Sequence, residues 1–209
     1  YIDPNKKIDD HIIVPREDGS KKTVITHNMR FIENFFDFRK TFRRFNGSKT
    51  KQISFPLMSI DYLNFERDKV LSVGPRNEGE LFQIRSMGFK WQNIYGIDLL
   101  SYSNLVTLGD IHNSKYMDNF FNVILCGWVI TYSTNYEKIL DEMLRIVKNK
   151  GIISIGFSYN PNEDSSIYST EQILKRYEKN ISQVYFNFDA YKDNPENRRH
   201  SILILKIKK

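Results

Sequence analysis

Two glycines and two aspartates stand where short apolar runs of this sequence end, and their spacing suits a nucleoside ligand. Gly74 directly follows the run at 69–73, and Gly79 lies where the next helix is predicted to begin. A glycine at such a turn lets the backbone approach a ligand closely, and the helix start behind it offers unpaired N–H groups. Asp98 ends a second run, where a carboxylate can accept both hydroxyls of a ribose, and Asp110 follows a third, where it can meet the edge of a base. Each residue alone is equally explained as a turn or helix cap, so the prediction depends on the combination.

Strands and helices that alternate from residue 69 onward must position these side chains. The predicted strands cover residues 69–73, 93–97, 105–108, 122–126, 151–157, 184–188 and 201–208. The predicted helices cover residues 78–87, 135–147 and 168–179, the last with a cap at Ser166 or Ser169. This alternation predicts a three-layer α/β sandwich, with a mostly parallel seven-stranded sheet that ends in an antiparallel hairpin. Ligands of such sheets bind beyond the carboxyl ends of the strands, where the strand order reverses.

Residues 1–64 are predicted to form an N-terminal arm and a basic amphipathic cap helix, ahead of an α/β domain at 65–209. A helix over residues 30–46 is indicated by phenylalanines at spacings of three and four, namely Phe31, Phe35, Phe38, Phe42 and Phe45. Residues 21–51 carry nine Lys and Arg against Glu33 and Asp37. We interpret the helix as a cap or lid on the α/β domain. A basic face that holds an anionic acceptor, and a helix that lies on a membrane surface, remain alternatives.

The composition excludes several classes of protein. With 209 residues, 40% hydrophobic and 27% charged, the chain is globular rather than intrinsically disordered. Cys126 is the only cysteine, which excludes an intramolecular disulfide and a four-cysteine zinc site, and we expect a buried thiol in a cytoplasmic protein. No metal-ligand spacing and no transmembrane run are visible. The net charge of +6 mildly favours an acidic partner, and the start at Tyr1 rather than Met fits a trimmed chain or part of a longer protein.

Several segments in sequence order resemble one enzyme family. Residues 70–79 (VLSVGPRNEG), 96–98 (GID) and 108–112 (LGDIH) look like the first three motifs of the class I S-adenosylmethionine-dependent methyltransferases. Residues 118–128 resemble their fourth motif, and residues 139–151 resemble the helix that precedes their fifth strand. The resemblance covers roughly residues 65–160 and implies a Rossmann-like fold and methyl transfer from S-adenosylmethionine.

The resemblance also implies which residues hold the cofactor. They are Gly74, Pro75, Arg76, Glu78, Gly79, Asp98, Leu99, Asp110, Ile111 and Gly127. Two positions depart from the family pattern, because Ser72 stands where an acidic residue is usual and Arg76 where a second glycine is usual. We hypothesise that Arg76 pairs with the methionyl carboxylate and that Glu78 or Glu80 pairs with the ammonium group. The short interval from Asp98 to Asp110 predicts a loop in place of the usual helix. These departures leave a degenerate, non-binding copy of the fold as an alternative.

A hydroxyl acceptor needs a base, and His112 is the predicted one, because histidine takes up a proton near neutral pH. Asp110 either orients His112 or binds adenine. Trp128 and Tyr132 follow the fourth strand and are predicted to contact the acceptor, with packing as the alternative. We expect O-methylation of a glycan, sugar nucleotide or related metabolite. The alternatives are a nucleic-acid methyltransferase that uses the basic N-terminal segment, and a non-catalytic Rossmann-like binding module.

Overall fold

The computed structural model describes residues 13–15, 21–23, 50–75, 78–99, 101, 103–159, 166–193 and 199–209. The predicted phenylalanine helix at 30–46 lies outside the described residues, and so does Arg76. No structural outcome is therefore assigned to either prediction.

Nine strands and five α-helices lie in the described ranges. The strands are β1 (Ile13–Pro15), β2 (Lys21–Thr23), β3 (Val70–Val73), β4 (Ile94–Asp98), β5 (Val106–Leu108), β6 (Phe121–Gly127), β7 (Val147–Tyr159), β8 (Ile181–Phe188) and β9 (Arg199–Ile207). The α-helices are α1 (Thr50–Ser54), α2 (Glu78–Ser86), α3 (Tyr136–Ile146), α4 (Thr170–Arg176) and α5 (Ala190–Asp193). Short 3-10 turns occur at Phe55–Ser59, Trp91–Asn93, Ile111–Asn113, Ile130–Tyr132 and Glu178–Asn180.

Seven of these strands form one sheet in the order β5-β4-β3-β6-β7-β9-β8. Strands β3 to β7 run parallel, and β9 lies antiparallel between β7 and β8. The strand order reverses between β3 and β6, which is where ligands bind in open α/β sheets. The predicted Rossmann-like α/β fold with its terminal antiparallel hairpin is therefore confirmed. Strands β1 and β2 form a separate antiparallel pair.

Alternating side chains of the central strands fill two cores, one on each face of the sheet. In β6, Val123 and Leu125 belong to one core, whereas Ile124 and Cys126 belong to the other. Helix α3 covers the face of the sheet that carries Ile124. The apolar residues of α3 that pack there recur at helical spacing, namely Ile139, Leu140, Met143 and Ile146. It begins at Asn135, whose side chain accepts a hydrogen bond from the backbone N–H of Lys138. The middle strands are thus buried on both sides, as a parallel sheet requires.

Residues 50–60 pack against the opposite face. Ile53 and Leu57 are fully buried there with helix α2, and the Ser154 hydroxyl of β7 donates to the backbone carbonyl of Ile53 at 2.6 Å. These contacts tie α1 to the sheet, while the division of the chain at residue 64 stays a prediction.

Several boundaries differ from the sequence predictions, and β8 begins at Ile181 rather than at Val184. Strand β7 begins at the buried Val147 rather than at Gly151, because the polar residues 148–150 interrupt its apolar run beside a register shift against β6. Helix α4 ends at Arg176, and the predicted remainder is a 3-10 turn. Ser169 rather than Ser166 is its cap, in a capping box with Gln172. No helix in the described ranges has the length and apolar character to cross a membrane.

We predict that Leu71→Ala in β3 lowers the free energy of unfolding by about 2–5 kcal/mol, because Leu71 is fully buried and truncation leaves a cavity. Urea unfolding at neutral pH measures the change. The matched control is Leu105→Ala, whose side chain is 44% exposed and whose truncation should cost less than about 1 kcal/mol. Equal losses in the two variants would contradict the core assignment.

Candidate functional site

Backbone hydrogen bonds continue past the carboxyl ends of the parallel strands and hold the predicted site residues at one sheet edge. The N–H of Gly74 donates to Ile97 at 2.8 Å, and the N–H of Gly109 donates to Asp98 at 2.9 Å. On the other side of the sheet centre, the N–H of Trp128 donates to Gly156 at 2.6 Å. The structure therefore brings together the residues that follow β3, β4, β5 and β6, as the sequence predicts.

The turn after β3 requires glycine. Gly74 has φ of +66°, and a Cβ atom there would lie 2.1 Å from Cγ2 of Val129. The turn thus presses against the segment after β6 and presents bare backbone toward the edge. Pro75 and Gly79 are buried, and Glu78 is half-buried in the first turn of α2. The helix start offers N–H groups and the positive end of the helix dipole at this turn.

The carboxylate predicted to bind a ribose stands at the end of β4. Asp98 is half-buried, and its backbone pairs with Leu108 of β5. Leu99 follows it, also half-buried. No helix separates β4 from β5 in the described part of the connection. Instead, the Ser101 hydroxyl lies 2.7 Å from the carbonyl oxygen of Val106 and closes a tight loop, as the short interval predicts.

A chain of three polar side chains extends from the end of β5 to the segment after β6. Asp110 Oδ1 accepts from the backbone N–H of His112 at 2.9 Å and lies 2.6 Å from its ring Nδ1. His112 Nε2 lies 2.6 Å from the hydroxyl oxygen of Ser133. The Ser133 oxygen also accepts from the backbone N–H of Asn135 at 3.0 Å. Ile111 is buried in the core beneath this chain.

The partners of His112 determine its tautomer. An ionised carboxylate only accepts hydrogen bonds, so Asp110 assigns the imidazole proton to Nδ1. Nε2 then keeps its lone pair and accepts a hydrogen bond from the Ser133 hydroxyl. An imidazole in this state is oriented to take up a proton at Nε2, with Asp110 to stabilise the resulting charge. The Asp110 carboxylate therefore orients His112, one of the two roles left open by the sequence.

The buried Glu142 carboxylate, paired with a partly exposed Arg145, holds the loop that carries His112. Glu142 of α3 accepts from both the N–H and the hydroxyl of Ser114, at 2.9 and 2.6 Å, and pairs with Arg145. Burial raises the pKa of Glu142, but hydrogen bonds from Arg145 and Ser114 outweigh it, so the pKa lies below its usual value. Sequence reasoning missed this support, because no local pattern shows that Glu142 contacts Ser114, 28 residues earlier in the chain.

The two residues predicted to contact an acceptor differ in burial and in backbone conformation. Tyr132 is half-buried in the 3-10 turn after β6. Trp128 has φ of +60° and is only 7% exposed, with its indole N–H donating to Nδ1 of His200 at 3.2 Å. Gly127, at the end of β6, is half-buried and pairs with Gly156 of the neighbouring strand β7.

Other polar groups near the edge have simpler roles. Burial raises the pKa of the Cys126 thiol to about 12, which matches the expected buried thiol and does not suit a nucleophile.

Within the described ranges, no three His, Cys, Asp or Glu side chains are grouped so that they could hold a metal ion. Ser133, Ser158 and His200 were not assigned to the site by the sequence, because each reaches the edge only through tertiary contacts.

Part of the chain is similar to a known protein family. Residues 73–155 match a family model described as a methyltransferase domain. No curated protein sequence matches the chain.

Solved structures share the fold at low sequence identity. The N-methyltransferase NodS from Bradyrhizobium japonicum WM9, solved with S-adenosyl-L-homocysteine, is 11% identical over 88% of this chain and 98% of its own, with a TM-score of 0.61. The complex of the Haloferax volcanii methyltransferase activator Trm112 with a methyltransferase gives 12% identity over 82% and 96%, with a TM-score of 0.60. The [4+2]-cyclase SpnF gives 13% identity over 76% and 80%, with a TM-score of 0.55. The cyclase shows that this fold alone does not determine the reaction.

We predict that Glu142→Gln lowers the free energy of unfolding by about 1–3 kcal/mol at pH 7, because charge-assisted hydrogen bonds are weakened. A lowered folded-state pKa stabilises the protein above the unfolded-state pKa of about 4.3, and this contribution disappears as the pH falls through the folded-state value. Urea unfolding from pH 7 down to about pH 3 should therefore show the difference from wild type shrinking below about pH 4.3. The control, Glu178→Gln in an exposed turn, should show no such change. A pH-independent difference for Glu142→Gln would contradict the role of its charge.

Proposed function

Because this chain carries a methyltransferase domain of the class I, S-adenosylmethionine-dependent type, we propose that it methylates an oxygen of a small polar acceptor. The acceptor class that fits best is a glycan, a sugar nucleotide or a related metabolite. The chain is thus an enzyme with S-adenosylmethionine as cofactor, and the acceptor is the part that we infer.

The residues at the sheet edge fit the cofactor. Gly74, with φ of +66° and no room for a Cβ beside Val129, lets the chain turn sharply after β3 toward the start of α2, where a cofactor of this size would lie. Asp98 would accept the ribose hydroxyls, and the loop from Asp110 to Ile111 would border the adenine. Glu78 and Gly79 would lie near the methionyl end, beside the start of α2. The sulfonium of the bound cofactor supplies a methyl group that needs no further activation.

The Asp110–His112–Ser133 chain is the observation that supports an oxygen acceptor. A hydroxyl must lose a proton when it is methylated, and a positioned base speeds such a transfer. His112 Nε2 holds an unshared pair, oriented by Asp110, and its side chain is 28% exposed. The Ser133 hydroxyl oxygen lies within hydrogen-bond distance of this nitrogen.

The geometry gives Ser133 a place in the proton path. With Ser133 Oγ at 2.6 Å, Nε2 is engaged before any acceptor arrives. An acceptor hydroxyl can pass its proton to Ser133 Oγ while the Ser133 proton moves to Nε2, or it can displace the serine and bond Nε2 directly. In both routes the proton ends on His112 and its charge is balanced by Asp110. His112 is the catalytic residue in this proposal, and Asp110 is a positioning residue.

Other features support a small acceptor in a reducing compartment. The single cysteine is buried and unpaired, which favours the predicted cytoplasmic location. No described element resembles a separate nucleic-acid-binding module, and the sheet edge itself carries the polar groups that the acceptor would meet.

The first prediction of this proposal concerns the cofactor. Calorimetric titration with S-adenosyl-L-homocysteine should show binding to the wild type that is weakened about 10–100-fold in Asp98→Ala, because a charged group loses its hydrogen bonds to the ribose. Asp61→Ala, an exposed aspartate away from the edge, is the matched control and should bind like the wild type. A nicotinamide dinucleotide should not bind. Equal affinity in Asp98→Ala and Asp61→Ala would remove the cofactor role of Asp98.

The second prediction concerns the base. Transfer of tritium from methyl-labelled S-adenosylmethionine to a panel of sugar nucleotides and free sugars identifies the acceptor. With that acceptor, His112→Gln should lower kcat about 10²–10⁴-fold, while the affinity for S-adenosyl-L-homocysteine stays within about threefold.

Ser133→Ala and Lys115→Gln complete this test. Ser133→Ala should lower kcat less than His112→Gln, and Lys115→Gln on the same exposed loop should leave it unchanged. If His112→Gln weakens cofactor binding and spares kcat, the histidine shapes the adenine loop and is not the base.

A further inference from the structure

The outermost strand on one side of the sheet is long and open. Strand β8 stands at one lateral end of the order β5-β4-β3-β6-β7-β9-β8, and in the described part of the chain its eight residues lie beside β9 alone. Strand β5 at the opposite lateral end has three residues. A very short outer strand is one way in which proteins block pairing with another sheet. This protection is present at β5 and missing at β8.

Strand β8 also lacks the charges that usually protect an outer strand. Its sequence, ISQVYFNF at residues 181–188, contains no Lys, Arg, Asp, Glu or Pro. Charged side chains and proline are the common protection against pairing with another chain, because each makes an added strand unfavourable. The whole chain is 27% charged, so an uncharged outer strand of this length departs from its surroundings. The outward backbone N–H and C=O groups of β8 are therefore an unprotected template for a further strand.

Large apolar side chains project from both faces of β8. Residues that stand opposite each other in an antiparallel pair lie on the same face of the sheet. Val184 is opposite Leu205, which belongs to the core on one face. A register shift follows, and Phe186 is opposite Ile204 of the other core, with Phe188 on that same face. The side chains of Val184, Phe186 and Phe188 are 42–44% exposed.

A partner for β8 must therefore cover apolar surface on both faces at once. A helix packed on one face would leave the other face in water. A strand added in the plane of the sheet flanks both faces and also pairs with the outward backbone groups of β8. A flexible peptide could do so only by ordering its backbone, which costs about 1–2 kcal/mol per residue. A strand that is already ordered avoids this cost.

Contacts at its centre and at its end hold β8 in an ordered position. Tyr185 is half-buried and forms a hydrogen bond with Tyr62. Directly after the strand, the buried Asp189 carboxylate accepts from the hydroxyl of Thr170 at 3.0 Å and from its backbone N–H at 3.1 Å. Thr170 begins α4, so the end of β8 is fixed to a helix of the domain. Strand β8 itself thus meets the requirement for an ordered partner.

A second copy of β8 is complementary to the first. Antiparallel pairing of two identical strands places a two-fold axis perpendicular to the sheet, and this axis maps each face onto itself. Val184 therefore shares a face with its counterpart, and the two phenylalanines share the other face with theirs. A charge near the axis would meet its like in the other copy, and β8 carries none. The net charge of +6 opposes self-association in general, but this strand adds no repulsion of its own.

We propose that this chain forms a two-fold symmetric dimer by antiparallel pairing of β8 with β8 of a second copy, which joins two seven-stranded sheets into one. Strands β6, β7 and β9 lie between β3 and β8, so the second copy adds at the side of the sheet and leaves the turns after β3, β4 and β5 uncovered. Dimer formation therefore does not depend on which acceptor is methylated.

Sedimentation velocity of the full chain over a range of protein concentrations tests the dimer. We expect a reversible monomer–dimer equilibrium, with thermal stability that rises with concentration because only folded chains pair. Val184→Lys and Val184→Glu each place like charges together near the axis and should each weaken the dimer about tenfold or more. An equimolar mixture of the two variants should recover the dimer, because opposite charges then meet.

The control for added charge is Met117→Lys, at a position that is 67% exposed outside β8, and it should dimerise like the wild type. At concentrations where monomers predominate, all of these variants should unfold like the wild type, because the substituted side chains are exposed in the monomer.

A cysteine at the centre of β8 tests which surface forms the contact. The sole native cysteine, Cys126, is buried, so Val184→Cys supplies an accessible thiol. A short bismaleimide should link two copies of this variant covalently. Leu105→Cys, comparably exposed before β5, is the matched control and should stay unlinked. In the wild type, amide hydrogen exchange in β8 should be slow in the dimer and become faster on dilution.

Four results would overturn the proposal. The first is a wild type that stays monomeric at high concentration. The second is a dimer that persists in both charged variants without cross-linking at Val184→Cys, since another surface then forms it. The third is slow exchange of the β8 amides in the monomer, which shows that another part of this chain covers the strand. The fourth is a mixture of the two charged variants that stays monomeric, or growth into larger assemblies, since neither agrees with one closed two-fold axis.

Discussion

The common edge formed by the parallel strands is the constraint on which the rest of this structure depends. The parallel ladders bring the carboxyl ends of strands β3 to β6 side by side against β7, and backbone hydrogen bonds from Gly74, Gly109 and Trp128 extend the pairing past the strand ends. Turns that would otherwise be mobile are thereby fixed to one another. A Cβ on Gly74 would force the turn after β3 away from Val129, and the edge would open at its centre.

Two histidines on this edge are held in opposite tautomers by the chemistry of their partners. A carboxylate that can only accept leaves His112 with a bare Nε2, whereas an indole that can only donate leaves His200 with a protonated Nε2. The partners of the two rings therefore assign opposite tautomers on opposite sides of the strand-order reversal.

Much of the fold and part of the candidate site could be predicted, because both depend on patterns between residues that are close in the sequence. Buried strands show as apolar runs, and Gly74, Asp98 and Asp110 follow those runs directly. The start of β7 could not be found, because Lys148, Asn149 and Lys150 separate the buried Val147 from the apolar run that begins at Gly151. Ser133 and His200 were out of reach for another reason. Each is brought to the edge by tertiary packing, and a serine or a histidine in a loop or at a strand start carries no local signal of its partners. The positive φ of Trp128 is the extreme case, since intrinsic preference argues against it.

The short connection between β4 and β5 shapes the part of the sheet edge on which His112 lies. A helix in this place would fill the space beside β5, but the tight loop closed by Ser101 leaves it to the turn at residues 111–113. That turn is anchored from beneath by Glu142 of α3 and touches Ser133 of the segment after β6. Helix α3 thus supports both ends of the Asp110–His112–Ser133 chain, since Asn135 begins the helix and Glu142 lies within it. A departure from the family pattern that first argues against an adenine site is, in the folded protein, what allows His112 on the β5 side to reach Ser133 after β6.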